Sequence, residues 1–211
     1  RKATPVRKLF DRDAPVVESR DTTHVSVVDR YGNAVSHTTT LNRSFGACLV
    51  AAGTGMLWNN GMDDFSIAPG APNSYGIPGS RANAIAPGKR PVSSMAPVIV
   101  ERDGALYAVL GSPGGSTIPS SVLQVLMNLV DLDMAPQAAV NAPRIHHQGL
   151  PDTLRHESDA LAPEVRDALR RRGYDLEAGK PQGDVQLVVS DGAGGWWAAA
   201  DPRRGGAPAG H

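Results

Sequence analysis

The sequence predicts a layered α+β domain, and three observations carry that prediction. Strand-like segments come first, helical ones follow and strands return at the end, unlike the strand–helix alternation of a doubly wound parallel sheet. The turns between paired strand-like segments are short and rich in residues that tolerate positive φ, which favours antiparallel hairpins. The 211 residues suffice for one ordinary domain with a substantial core and are too few for two large ones.

Residues 1–21 read as an arm, with mixed charges and prolines at Pro5 and Pro15 but no sustained period. Residues 24–28 and 34–40 alternate around the turn Asp29-Arg30-Tyr31-Gly32-Asn33, a predicted β-hairpin. Residues 47–51 and 55–58 predict two more short strands about Gly53-Thr54-Gly55. In residues 66–90, Pro69, Pro72, Pro78 and Pro87 with their glycines exclude a continuous helix or central strand, so this is a long loop. Loops of that length in compact domains are lids, binding loops or disordered. Residues 97–100 and 105–110 flank Glu101-Arg102-Asp103-Gly104, a second hairpin. After Gly111-Ser112-Pro113-Gly114-Gly115 the period becomes helical, with Ile118, Val122, Val125, Leu126, Leu129 and Val130 on one face. Further helices are predicted over 136–140 and 163–172, the latter with Pro163 in its first turn and Gly173 as C-cap. Residues 185–189 and 196–200 form a last hairpin.

Composition narrows the chemistry. The 21 basic residues balance 21 acidic ones, so no net field points to nucleic acid, a membrane surface or a polyanion. Small-molecule chemistry or protein association fits better. Cys48 is the single cysteine, which excludes an internal disulfide. No apolar run approaches the roughly 20 residues that span a bilayer. The chain opens at Arg1 without a methionine, and we expect it to be a piece of a longer product.

Several groups of residues are candidates for chemistry. Thr22, in Asp21-Thr22-Thr23-His24, is ordinarily a β-former at a strand start; it is also where a self-processing enzyme places its nucleophile, because hydrolysis before it gives one residue both a hydroxyl and an α-amine. Metal binding is poorly supported: His146 and His147 are adjacent, and no histidine pair has helical metal-site spacing. The glycine turn at 111–116 lacks the spacing and lysine of a phosphate loop, yet such a turn entering a helix can offer N–H groups to an anion or an oxyanion. Met62-Asp63-Asp64-Phe65 is either an exposed turn or a recogniser of an ammonium group. Ser93-Ser94, between prolines, is either a spacer or a hydroxyl pair facing a ligand, and the run Thr38 to Asn42 ends the strand that returns towards Thr22.

In their order and spacing these pieces match a known family. From Thr22 onward the chain resembles the small subunit of the γ-glutamyltranspeptidases, also called glutathione hydrolases. The resemblance rests on Thr22-Thr-His-Val-Ser-Val-Val-Asp29, Gly32-Asn-Ala-Val35, Thr40-Leu-Asn42, Asn59-Asn60 and Met62-Asp-Asp-Phe65. It continues through Lys89-Arg-Pro-Val-Ser-Ser-Met95, Gly111-Ser-Pro-Gly-Gly-Ser116, Asn141-Ala-Pro-Arg144 and His146-His147-Gln148. It implies an N-terminal-nucleophile hydrolase with a four-layer αββα sandwich and no cofactor. By the same likeness the precursor cuts itself between Asp21 and Thr22, so residues 1–21 are the tail of a large subunit and 22–211 the catalytic small subunit. Thr22 is then the nucleophile, Thr40 its hydrogen-bond partner, and Gly114 and Gly115 the oxyanion hole. Asn42 and Asp64 would take the α-amino end of a γ-glutamyl donor, and Ser93 and Ser94 its α-carboxylate. The loop around Tyr75 resembles the lid of some bacterial members. The implied partners are the large subunit, which in the family supplies an arginine to the donor carboxylate, and a small-molecule substrate such as glutathione with water, amino acids or peptides as acceptors. Bacterial members are usually periplasmic or secreted. Gly61 departs from the family, where many relatives carry glutamine or glutamate, and keeps open a glutaryl or cephalosporin acylase of the same fold. A non-catalytic binding subunit is the alternative from another class.

Overall fold

In the computed structural model, which describes residues 22–68 and 70–210, the chain opens on β1 (Thr22–Val28) and β2 (Ala34–Thr40), paired antiparallel with Thr22 opposite Thr40 and Val28 opposite Ala34. The turn between them is held by Asp29, whose Oδ1 accepts the N–H groups of Tyr31 and Asn33, with Gly32 at φ 83°. The arm, Asp21 and the Asp21–Thr22 bond lie outside the described residues.

Next come β3 (Val98–Arg102), β4 (Ala105–Gly111), α1 (Ile118–Val130), α2 (Pro136–Asn141), β5 (Ile145–His146) and β6 (Leu154–His156). They are followed by α3 (Pro163–Arg171), β7 (Leu176–Ala178), β8 (Gln186–Ser190) and β9 (Trp196–Ala200). Strands β3-β4-β8-β9 make one antiparallel sheet. Helix α1 lays its predicted stripe on that sheet: Ile118, Val122, Val125 and Leu129 are buried with Ala108, Leu110, Leu187 and Val189. Each such aliphatic side chain contributes on the order of 1.5–3 kcal/mol by leaving water. Helix α3 has Glu164 in its first turn and Arg170 and Arg171 in its last, matching the helix dipole, and Gly173 follows at φ 94°.

Two expectations need correction. Residues 47–51 and 55–58 form no strands, only the isolated bridge between Val50 and Leu57. Gly46 and Cys48 stand at φ 52° and 55° and Gly53 and Gly55 at 75° and 73°, so the backbone cannot stay extended. Conversely, β5, β6 and β7 form a small sheet with one parallel pair, and strands of two or three residues are too short to leave a period in sequence.

The hairpin β1–β2 packs across the sheet with an unusual polarity. Its inner face carries Thr22, His24 and Ser26, whereas Val25, Val27 and Val35 face outward, 50%, 46% and 53% exposed. Ser26 Oγ donates to the Gln186 carbonyl (3.0 Å), and Ser36 Oγ donates to the Leu110 carbonyl (2.9 Å) and accepts the Val98 N–H (3.1 Å). The helices α1 and α2, the four-stranded sheet and the hairpin thus stack as an α+β sandwich. No helix among the described residues is long and apolar enough to cross a membrane.

Contact between hairpin and sheet is closest where the His24 ring lies over Gly111. A Cβ at that glycine would stand within 2.1 Å of the ring, and sheet backbone cannot move aside. Gly111→Ala is expected to cost about 3 kcal/mol through overpacking, read as a lower midpoint of thermal unfolding. An unchanged midpoint would contradict this packing.

Candidate active site

Thr22 heads β1 with its side chain buried, and its Oγ1 donates to Thr40 Oγ1 at 2.9 Å across the hairpin. Pairing of the two strand ends in register is what brings these hydroxyls together. Thr40 Oγ1 also accepts the N–H of Asn42 (2.8 Å), which fixes the residue where the chain leaves β2 at φ 73°. Among the described residues no acidic or basic side chain bonds the Thr22 hydroxyl.

His24, two residues on along the same face, is the nearest titratable neighbour in sequence among the described residues, but both its ring nitrogens are engaged. Nδ1 bonds Thr38 Oγ1 (2.7 Å) and Nε2 bonds Ser26 Oγ (3.0 Å). Because Ser26 donates onward to Gln186, it accepts from His24, so Nε2 carries the proton and Nδ1 accepts from Thr38. Burial, with His37 a smaller cause, pushes the imidazole down to about 4, so it is neutral near pH 7. Its role is to fix the strand, and it holds no free lone pair for Thr22.

The turn after β4 brings the glycine pair to the start of α1. Gly114 stands at φ 140° and Gly115 at φ 58°. The first helical hydrogen bond runs from the Thr117 N–H to the Gly114 carbonyl (3.1 Å), so the N–H groups of Gly114 and Gly115 are not consumed by the helix. Behind the turn, Gly183 approaches so closely that a Cβ on Gly114 would be 3.1 Å from its Cα. The 182–185 segment is in turn anchored by buried ions. Glu157 accepts the Gln182 N–H (2.7 Å), Asp201 accepts the Val185 N–H (2.8 Å), and Arg144 pairs with Asp201 at 2.7 Å while donating to the Gln182 carbonyl (2.8 Å). Arg203 closes the cluster on Glu157 (2.6 Å) and Asp201 (3.0 Å).

Asp64 ends a single 3₁₀ turn, Gly61–Asp64, and lines a cavity of about 390 Å³ together with Ser94, Ser116 and Tyr75. Nothing among the described residues bonds its carboxylate. Burial first, and then the Asp63 charge, push Asp64 up to about 6. A half-buried, unpaired carboxylate at a cavity wall suits a cationic group on a ligand. Ser93 is not brought to this wall; it is exposed, and its Oγ accepts the Met95 N–H (3.1 Å). Gly61 presents no side chain here, and its N–H is taken by Asn59 Oδ1 (2.9 Å).

The loop residue Tyr75 is buried and joins cavity to threonine. Its hydroxyl donates to Asn42 Oδ1 (2.7 Å), and its ring lies where a Cβ on Gly115 would be 2.7 Å away. The bonded series Tyr75, Asn42, Thr40, Thr22 is therefore continuous. Thr22 itself opens onto a second cleft of about 440 Å³, lined also by Ser26, Asp184, Gln186 and Arg204. No group of three or more histidine, cysteine or carboxylate side chains suited to a metal occurs among the described residues.

Gly183, His24 and Gln148 were not assigned roles from sequence. Gly183, in Pro181-Gln182-Gly183-Asp184, could have been flagged only as a turn glycine, since its partner Gly114 is remote in the chain.

The family model described as Gamma-glutamyltranspeptidase matches residues 2–211. The chain is 50% identical over 192 residues to the glutathione hydrolase proenzyme of Pseudomonas aeruginosa, covering 90% of this chain but 34% of that relative. It thus spans about a third of that relative's length. The solved structure of gamma-glutamyltranspeptidase from Pseudomonas nitroreducens, complexed with L-DON, superposes with a TM-score of 0.80 at 48% identity, covering 90% of this chain and 98% of that one. The cephalosporin acylase from Bacillus halodurans aligns with a TM-score of 0.72 at 28% identity, over 85% of this chain and 32% of that one.

Proposed function

The chain belongs to the gamma-glutamyltranspeptidase family, and from that premise we propose that residues 22–211 are the catalytic small subunit of a γ-glutamyltransferase, released when its precursor is cut between Asp21 and Thr22. The carrying observation is the Thr22 hydroxyl, buried at the head of β1 and bonded to Thr40, with no acidic or basic side chain bonding it among the described residues. A base must come from elsewhere, and the α-amine that the cut creates on Thr22 has an ordinary pKa of roughly 7.7 to 8, close to neutral.

In the proposed reaction Thr22 Oγ1 attacks the γ-carbonyl carbon of glutathione or another γ-glutamyl amide. The hydroxyl proton passes to the α-amine, a C–O bond forms, and the carbonyl oxygen becomes an anion facing the N–H groups of Gly114 and Gly115. Each such donor is worth roughly 3 kcal/mol in other enzymes. Collapse breaks the C–N bond, the amine proton goes to the leaving nitrogen, and an ester remains on Thr22. Water then gives glutamate, or an amino acid or peptide gives a new γ-glutamyl amide. Thr40 holds the attacking oxygen, Asp64 with Asn42 receives the donor's α-ammonium, and Ser94, the member of the serine pair that reaches the cavity, receives its carboxylate.

The proposed partner is the large subunit of the same precursor, which would bring an arginine to that carboxylate. Support comes from the outward valines of the hairpin, an apolar face of the kind a further layer covers, and from the fraction of its relatives that the chain spans. By family likeness the mature protein would be periplasmic or secreted.

Asp64 gives a pH dependence with a definite sign. Its raised pKa means the carboxylate is neutralised as pH falls through about 6, so KM for a γ-glutamyl donor should rise below that value while kcat changes less. Asp64→Asn should raise KM roughly 10- to 100-fold and flatten the profile, as expected for a lost charge-assisted hydrogen bond. A KM independent of pH between 5 and 8 in the wild type would remove Asp64 from the donor site.

Release of aniline from a γ-glutamyl anilide by the two-subunit protein tests the reading, and no release would end it. Gly61 keeps one competitor in view, and faster turnover of a glutaryl amide than of glutathione would reassign the protein as an acylase.

A further inference from the structure

The sequence His146-His147-Gln148 follows α2 and carries none of the roles assigned above, yet it reaches the loop over the site. Gln148 Nε2 donates both its hydrogens, to the Tyr75 carbonyl (2.7 Å) and to the Leu150 carbonyl (2.7 Å). Its Oε1 accepts from His146 Nε2 (3.0 Å), and His146 Nδ1 bonds Ser120 Oγ (2.8 Å) in the first turn of α1. The amide is thus fixed end to end: its oxygen faces a histidine and its nitrogen faces two carbonyls. Burial disfavours the charged imidazole of His146, and Ser120 Oγ bonds both its ring nitrogen and the Thr117 carbonyl (2.9 Å), tying the histidine to the start of α1.

This contact differs in kind from the others that hold the loop. On its other side the loop is held from the end of β2 and the turn before it: Arg43 donates to the Ser74 carbonyl (3.3 Å), Asp63 accepts the Ser74 N–H (3.3 Å) and Asn42 accepts the Tyr75 hydroxyl (2.7 Å). Gln148 lies 73 residues from Tyr75 and ties the loop through His146 to α1, whose buried stripe is packed into the core. The hairpin end thus holds the Tyr75 hydroxyl, whereas Gln148 holds the Tyr75 backbone to α1.

We propose that Gln148 is the positioning residue that latches the Tyr75 loop shut over the donor site and thereby sets donor affinity. It rests on the reading of that site given above. Gln148 touches neither the nucleophile nor the oxyanion turn, so its effect passes through the Tyr75 hydroxyl and Asn42. Losing the latch lets the loop open, which weakens donor retention more than the chemical step.

The test uses the full two-subunit protein and the variants Q148M, Y75F and their combination, with a γ-glutamyl anilide as donor. Q148M keeps the length and volume of the side chain but removes both donors. It should raise KM about tenfold with kcat within about twofold, and add less than about twofold in the Y75F background, because the two act through one contact. Trypsin should also cut after Arg81 and Lys89 in the loop about fivefold faster in Q148M than in the wild type. Should Q148M not accumulate, Q148E retains the acceptor facing His146, loses both donors and gives the same comparison. A fall in kcat at constant KM, an equal effect in both backgrounds, or unchanged trypsin cleavage would overturn the latch. Wild type that releases no aniline defeats the assigned function instead, and the trypsin arm still decides whether the loop is latched.

Discussion

Thr22→Ala is expected to abolish turnover of a γ-glutamyl anilide, by at least roughly 1,000-fold, and to leave the precursor uncut. Both losses follow from one atom. The Thr22 hydroxyl is the only proposed nucleophile for acyl transfer, and loss of a nucleophile in comparable hydrolases leaves only binding and oxyanion stabilisation. Thr22→Ser keeps the hydroxyl and its 2.9 Å bond to Thr40, so it should process and turn over, more slowly because the methyl that restricts χ1 is gone. Precursor cleavage read on a denaturing gel and aniline release read by absorbance are independent measurements. Full activity in Thr22→Ala would remove the threonine from the reaction.

Gly114→Ala is expected to lower kcat and kcat/KM together by roughly 100- to 1,000-fold, the range seen when one oxyanion donor is lost. At φ 140° an alanine is strained whatever the space around it, and there is little space. The new Cβ would lie 2.6 Å from Thr117 Oγ1 and 3.1 Å from Gly183 Cα. Thr117 already donates to the Gly114 carbonyl (2.9 Å), and Gly183 belongs to a segment pinned by Glu157, Asp201 and Arg144, so neither yields. The turn itself must shift, and the N–H groups with it. Gly32→Ala is the matched control: its φ is 83° but nothing lies within 4 Å of the added carbon, so it should cost stability alone. Equal losses in both variants would mean that backbone strain, and not oxyanion geometry, is what Gly114→Ala reports.

The threonine pair is legible in sequence because hairpin register depends on local alternation and a recognisable turn. Once 24–28 and 34–40 pair around Asp29–Asn33, Thr22 and Thr40 must meet. The glycine turn is legible for a similar reason, since a strand, two glycines and a helical stripe are contiguous. Tyr75 is legible only as part of a proline-rich loop. Its contact with Gln148 crosses 73 residues and leaves no pattern in either segment. His24 reads as an ordinary strand residue, and its neutrality follows from burial under Gly111, which emerges only when hairpin and sheet are packed. The expected strands at 47–58 failed because Cys48 adopts a positive φ that its side chain does not announce.

The polarity of β1 also explains why the fold is incomplete as a description of function. A hairpin that turns Thr22, His24 and Ser26 inward and Val25, Val27 and Val35 outward has its polar face on the sheet and its apolar face towards solvent in the isolated chain. That arrangement makes sense when the polar face serves a site and another layer covers the valines. The mutational experiments accordingly belong on the two-subunit protein.

The central claim is that Thr22 becomes both the new amino terminus and the acylated residue. Acid-quenching the active two-subunit protein during turnover of a γ-glutamyl anilide, then mapping the small chain by mass spectrometry, tests both halves at once. The predicted result is an amino-terminal peptide that begins at Thr22 and carries one γ-glutamyl group on that residue. Turnover by protein whose Asp21–Thr22 bond is intact, or an acyl group on any other residue, would contradict it.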